Sequence, residues 1–363
     1  MSGIVSGLSF PAIKGTQAGS EYYIVMCPLK RLSKVFTFDE GQLPVDQRAQ
    51  RIINEERIPD ITNYILDSRD RYVFSALTAC IDGVCEFISI GESKHEQKIG
   101  TLVIDEDADV FITDGQHRNA AILQALKEDP TLGNETISVV FFSNKSLEER
   151  QLIFKDLNLY PVKTDSSLSI TYDDRPDARL SKTIVFESPQ FAKLIHMEKS
   201  NLGPRSKKLV SHSALNKASK ELLGKITESN YRNLIPEASY YWHQVLDNMP
   251  AWQLVCEDKI SGGELRDESV HAHSVTFQAF GQLGAQLRNS GKGWEKLLKG
   301  LSTINWSRQN KDWHGRCVVN KNMSNNAKTV ELTRIQIKKY LKLALTERED
   351  NIEREFQEAK NGN

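Results

Sequence analysis

The passage Val110-Phe111-Ile112-Thr113-Asp114-Gly115-Gln116-His117-Arg118-Asn119-Ala120-Ala121-Ile122 constrains this chain more than any other. An apolar strand runs into a short polar turn, and a helix starts at once, because Ile122, Leu123 and Leu126 recur at helical spacing. The turn also carries chemistry. Glycine lets a backbone approach a ligand closely, and a helix start offers unpaired N–H groups with a partial positive charge. Arg118 can hold a phosphate through two parallel hydrogen bonds. His117 can donate a hydrogen bond or exchange a proton near neutral pH, and Asp114 can bind a metal or cap the helix. Together with Gly115, Gln116 and Asn119 these residues read as a small phosphate cradle, against the competing reading of a charged turn that is merely solvated. The spacing is not Gly-x-x-x-x-Gly-Lys-Ser/Thr, which excludes an ordinary P-loop.

The 363 residues suffice for one large core or two. A hydrophobic share of 39% beside 26% charged residues describes a soluble globular protein, and the net charge of -1 argues against a uniformly basic nucleic-acid binder. Any DNA contact must therefore rest on local patches. No apolar run reaches the length of a membrane span, and the start of the chain lacks a basic segment followed by a continuous apolar one, so a cytoplasmic protein is expected. The five scattered cysteines suit a reducing compartment. Cys80 and Cys85 flank Asp82-Gly83, a hairpin signal that predicts the two thiols facing each other across strands.

In chain order, residues 1–20 are rich in Gly and Ser and are expected to include a loosely held arm, and Tyr22 to Cys27 reads as a buried strand. Asp46 to Arg57, with Arg48, Arg51 and Arg57, predicts a helix with a basic face, followed by a second helix that Pro59 opens. The acidic turn Asp105 to Asp109 reads as a hairpin tip, and Ser146-Leu147-Glu148-Glu149 as a capping box. Asn158 and Lys163 at the end of that helix can close over a bound nucleotide or simply end the helix. From about Asp173 helical periodicity takes over: Pro176 opens one helix, Ser213 caps another, and Val275 to Leu287 marks the clearest one. His271 and His273 just before it read as surface or capping histidines. Lys199, Arg205, Lys207 and Lys208 fall in a loop with no acid between them.

Ser307 to Lys342 holds nine basic residues, opposed only by Asp312 and Glu331. Thr333-Arg334-Ile335-Gln336 fits a capping box, after which Arg334, Lys338 and Lys342 stack on one helical face beside an apolar row. Such a helix can pack inward while touching phosphates outward, and the DNA-contacting set read from this stretch is Arg308, Arg316, Lys321, Lys328, Arg334, Lys338 and Lys342.

Asp114-Gly115-Gln116-His117-Arg118 ahead of an Ala-rich helix resembles the signature of DGQHR-domain proteins, a group related to the ParB/sulfiredoxin superfamily. Within it the chain is most similar to the DndB family, regulators of bacterial DNA phosphorothioation. The likeness extends to Phe154-x-Asp156-x-Asn158, Asp165-Ser166-Ser167-Leu168 and Trp313-His314-Gly315-Arg316-Cys317. It implies an α+β fold, with a ParB/sulfiredoxin-like mixed-sheet nucleotide domain over residues 1–172 and a mostly α-helical region with the basic segment over 173–363. It also implies a repressor that binds double-stranded promoter DNA, possible self-association, and ATP at Gly115 to Asn119, with Arg57 bordering the pocket. Mg²⁺ and slow hydrolysis through Asp114 or His117 would complete such a switch. A ParB-like, metal-dependent nicking nuclease, with Asp156 and Asp165 as further acids, is the alternative. Gln116 stands where sulfiredoxins carry a cysteine nucleophile, so sulfur-reducing chemistry is not expected.

Overall fold

The computed structural model describes residues 7–36, 53–159, 164–289, 291 and 293–361, and the chain divides into two compact units, Met1–Val162 and Lys163–Asn363. The fold is α+β: a mixed sheet in the first unit and mostly helices in the second.

The first unit contains β1 (Gly7–Gln17), β2 (Ser20–Pro28), α1 (Leu32–Val35), α2 (Ile58–Asp67), β3 (Leu77–Asp82), β4 (Cys85–Ser89), β5 (Ile99–Asp105), β6 (Asp109–Asp114), α3 (Gln116–Glu128), β7 (Thr136–Ser143) and α4 (Leu147–Leu159). Among the described residues seven strands pair in the order β4-β5-β1-β2-β7-β3-β6, with β3 parallel to β7 and the other pairs antiparallel. Only Gly83 and Val84 separate β3 from β4, yet the two lie toward opposite edges. They are successive halves of one strand that runs antiparallel to β5 and β6 along its whole length, Asp82 opposite Asp109 and Cys85 opposite Ile104. The outer half of this bent ribbon joins β1 through β5, and the inner half joins β7 through β3, which curls the sheet back toward itself.

Three expectations change here. Asp82-Gly83 marks a bend within the ribbon rather than a hairpin, so Cys80 and Cys85 sit on one strand, opposite Phe111 and Ile104. Asp105 to Asp109 is the matching irregularity on the partner strand, where Asp105 Oδ1 accepts the Asp107 N–H at 2.9 Å. Residues 7–17 of the stretch expected to include an arm form β1, a strand paired on both sides, while residues 1–6 lie outside the described residues. The backbone explains why: alternate residues Phe10 and Ala12 are buried, and a strand with one apolar face is held by the sheet whatever its glycine content.

The core of this unit is made by Phe10, Val25, Leu77, Ile81, Val139 and Phe141 with Ile122 and Ala125 of α3. Pro59 lies in the first turn of α2 as expected, and the Thr62 hydroxyl donates to Ala121 O at 3.3 Å, fixing α2 against α3. The capping box at Ser146 forms in both directions. Of the helix expected over Asp46 to Arg57, residues 46–52 lie outside the described residues, and the remainder ends in a single 3-10 turn, Glu55–Arg57. Lys163 also lies outside them.

The second unit contains α5 (Ser166–Tyr172), α6 (Pro176–Glu187), α7 (Pro189–Leu194), β8 (Ile195–His196), β9 (Val210–Ser211), α8 (His212–Leu223), α9 (Tyr231–Asp247), α10 (Pro250–Cys256), α11 (Gly262–Glu268), α12 (Ser274–Asn289), α13 (Glu295–Leu298), α14 (Ala327–Tyr340) and α15 (Glu347–Asn361). The buried helix α12 packs on α8 and α14, and Trp242, Trp252, Phe277 and Trp313 fill the core between helices. Two caps differ from expectation. Ser211, not Ser213, accepts the first-turn amide of α8, and α14 starts about two turns early with a reciprocal box between Asn326 and Thr329. Thr333 is therefore interior and bonds back to Thr329 O. His271 is buried with Nδ1 accepting the Trp252 indole N–H at 3.0 Å, so it is a core histidine rather than a surface one. No helix among the described residues is long and apolar enough to cross a membrane.

Candidate functional site

The turn at the head of α3 is set by the strand that delivers it. Thr113 is fully buried and donates from Oγ1 to Thr78 O at 3.1 Å, locking β6 to β3. Gly115 then adopts a left-handed conformation with φ 104° as the residue preceding α3. A Cβ there would stand 2.4 Å from Leu77 Cδ2, so no side chain fits. Consequently α3, a 13-residue helix, begins without a side-chain cap, and a helix start of that kind favours an anion. Gly115→Ala is expected to cost at least about 2 kcal/mol through backbone strain and overpacking, read as a lower urea midpoint for the sheet unit.

Arg118 turns inward. Its Nη1 donates to Ser75 O at 2.6 Å and Ala76 O at 2.9 Å, and its Nη2 pairs with Asp114. The guanidinium thus clamps the segment before β3 to the turn, and Asp114 offsets its charge. This departs from the two-pronged phosphate grip expected of Arg118: in this arrangement it shapes the turn. Asp114 likewise serves Arg118 and does not cap α3. Gln116 Nε2 donates back to Ile112 O at 3.3 Å.

His117 Nε2 accepts the backbone N–H of Asn54 at 3.0 Å, which requires that nitrogen to be unprotonated. The same contact brings the 3-10 turn Glu55–Arg57 beside the motif, with Arg57 exposed at its end. Asn119 is 9% exposed, and among the described residues its Oδ1 has no hydrogen-bond partner. A buried acceptor without a donor costs about 1–3 kcal/mol, so this oxygen is a place where a ligand hydroxyl or amino group would be favoured. The structure therefore brings Asp114 to Asn119 together with the neighbourhood of Arg57, in a half-buried turn.

The residues expected to touch DNA separate into two groups. Arg316 is 1% exposed, and its two Nη atoms meet the two Glu353 oxygens at 2.8 Å each. Arg334 pairs with Glu349 at 2.9 Å, and Lys338, 5% exposed, pairs with the same carboxylate. These three cations fasten α15 to the rest of the unit, and the outward basic row read from the sequence is here an internal ion-pair network. Burial alone would push both carboxyls up, but the hydrogen bonds and cations around them prevail, bringing Glu349 and Glu353 down to about 2. Lys321, Lys328 and Lys342 remain exposed. Arg308 is held by Lys321 O at 2.9 Å and borders an open cleft with Lys321.

The sequence profile of the DndB family, described as DNA-sulfur modification-associated, matches residues 10–344. The chain belongs to the DndB family. No curated protein and no solved structure matches it. Membership ties the chain to DNA sulfur modification, and the structure shows what its other resembling segments do locally. Trp313 stacks on Trp306 with centroids 5.2 Å apart, and the Arg316 guanidinium lies 4.3 Å from the Phe356 ring centroid, so that segment is a core anchor. Asn158 bonds back to Phe154 O within α4. Asp165 caps α5 and accepts from Ser200 Oγ at 2.7 Å, opening a chain of hydroxyls through Ser167 and Ser213. That chain was missed in the sequence because Ser200 and Ser213 are remote from Asp165 along it.

Proposed function

We propose that this protein is a DNA-binding repressor of the genes for DNA phosphorothioation, and that a nucleotide, ATP by preference, held at Asp114 to Asn119 tunes its grip on promoter DNA. The observation that carries the nucleotide half is the uncapped start of α3 with the unpartnered Asn119 Oδ1 behind it. Phosphate oxygens suit the amides, and a ribose hydroxyl or base amino group suits the carbonyl oxygen. Asp114 is the one acid in the turn and is already paired. Mg²⁺ would thus take most of its ligands from the phosphates and water it arrives with. For the switch to work, the nucleotide must bind the DNA-free and DNA-bound forms unequally. Hydrolysis assisted by His117 or Asp114 is a further step of the same proposal.

Calorimetric titration with ATP tests the site. Asn119→Ala is expected to lose about tenfold in affinity with little change in melting temperature, because it removes an acceptor that makes no hydrogen bond in the free protein. Wild-type affinity in that variant would take Asn119 out of the site. Filter binding of promoter duplex with and without ATP tests the coupling, and identical affinities would remove it. The nicking alternative needs converging carboxylates, and among the described residues no three His, Cys, Asp or Glu side chains are grouped to hold a metal. Supercoiled plasmid incubated with magnesium or manganese is expected to stay intact.

A further inference from the structure

We infer that the loop between β8 and β9 is the surface on which the phosphates of duplex DNA rest, an inference that builds on the DNA-binding reading above. The base of this loop is closed by parallel pairing of Ile195 with Val210 and His196 with Ser211. Between those ends stand Lys199, Arg205, Lys207 and Lys208, and no acid occurs from residue 199 to 211. Together with His196 they border an open cleft of about 710 Å³.

The loop is rigid before any ligand arrives. Arg266 donates from Nη2 to Gly203 O at 2.8 Å and from Nη1 to Leu209 O at 3.0 Å, spanning the arch from inside. The backbone at the start of α11 lies directly beneath it, Gly263 N donating to Ser206 O at 2.8 Å and Gly262 N to Lys207 O at 3.1 Å. That approach admits only glycine, since a Cβ on Gly263 would be 1.7 Å from Pro204 O. A loop already ordered gives up little entropy on binding.

Lys208 donates from Nζ to Ala192 O, but the other three cations of the loop are uncommitted, in contrast to Arg316, Arg334 and Lys338. Lys199, Arg205 and Lys207 are exposed, and among the described residues their side chains form no ion pair. Two acids flank the loop: Asp258 pairs with Lys193 and also feels Lys207 and Lys208, and Glu198 is exposed beside Lys199, which leaves the four cations of the loop in excess. Burial and the neighbouring Lys193 push the Lys208 ammonium down, although Asp258 acts in the other direction. Packing gives no reason to gather such charge on one arch. A polyanion does, and for a member of a DNA-modification family the matching one is the duplex backbone. Flexible ammonium and guanidinium groups on a rigid arch suit contacts to phosphates rather than to base edges, so the loop would contribute affinity and register without sequence preference.

The test is the triple variant Lys199→Gln, Arg205→Gln, Lys207→Gln in the full chain, titrated against promoter and random-sequence duplexes at several salt concentrations. Binding is expected to weaken roughly 10- to 100-fold near physiological salt, by the same factor on both duplexes, with the salt slope smaller by about 2–3. Melting temperature and ATP affinity are expected to stay at wild-type values. A variant that matches wild type in affinity and slope overturns the loop assignment and leaves the repressor reading standing. Wild type that binds no duplex at all overturns both. Wild type that binds anionic vesicles through these residues but no duplex assigns the loop to a different partner and also overturns the inference.

Discussion

Arg316→Ala is expected to destabilise the helical unit by about 3–5 kcal/mol, the cost of removing one member of a buried ion pair. The guanidinium is 1% exposed and satisfies Glu353 with both Nη atoms while Nε donates to Asp312 O at 3.1 Å and Nη1 to Leu332 O at 3.1 Å. Its loss leaves the Glu353 carboxylate with Lys339, at 2.6 Å, and Gln357. It also removes a cation from the face of Phe356. Because α15 is charged along most of its length, these pairs do much of the fastening that an apolar stripe performs elsewhere. Urea denaturation followed by circular dichroism reads the loss. The fraction that stays folded is expected to bind DNA as wild type does. An undiminished midpoint with weakened DNA binding would return Arg316 to the phosphate-contacting set.

Acidification is expected to unfold the same unit in two stages. Burial pushes the His212 and His273 imidazoles down to about 4 and that of His271 to about 3. Their folded values lie below the ordinary 6.5, so the unfolded chain binds protons that the native one refuses. Their stabilisation is complete above pH 6.5 and is lost as the pH falls toward 4. At pH 5 the loss is about 2 kcal/mol for each histidine. The contacts explain the reluctance: His212 sits between Thr171 Oγ1 at 2.9 Å and Ser181 Oγ at 3.0 Å, fully buried, and His271 Nδ1 must stay unprotonated to receive the Trp252 indole. The second stage comes from Glu349 and Glu353, held down at about 2, whose contribution is present above 4.5 and disappears below it. Urea midpoints at pH 7.5, 6 and 5 measure the first stage. An unchanged midpoint across that range would mean that these rings titrate freely in the folded protein.

Much of the candidate site was legible because its signals are local. The switch from apolar strand to helical spacing located the turn before α3 and the glycine within it, whereas the left-handed conformation of that glycine came only with the structure. Pro59, Pro176 and Ser146 likewise mark helix starts by rules that act within one turn of chain. Arg118 shows where such reading stops. Its proximity to the helix start was evident, but its hydrogen bonds go to Ser75 and Ala76, residues some forty positions away, brought there by β3.

The other departures have the same origin. Asp82-Gly83 carries a genuine turn signal, but which strand receives the chain afterwards depends on β1 and β7 standing at either end of the ribbon. Arg334 and Lys338 do share a helical face, but that face meets Glu349 when α15 folds back on it. Conversely, the arch from Lys199 to Lys208 was visible as a run of cations, while its rigidity depends on Arg266 and the Gly262-Gly263 backbone.

The sequence by itself determined the family, the α+β division and the position of the strand–turn–helix motif, since periodicity, glycine conformation and helix capping act over a few residues. Only the tertiary structure decided which charges are spent inside and which remain for a partner. A charge is neutralised by whatever the fold brings within a few ångströms of it, and that distance is not written in its neighbours along the chain.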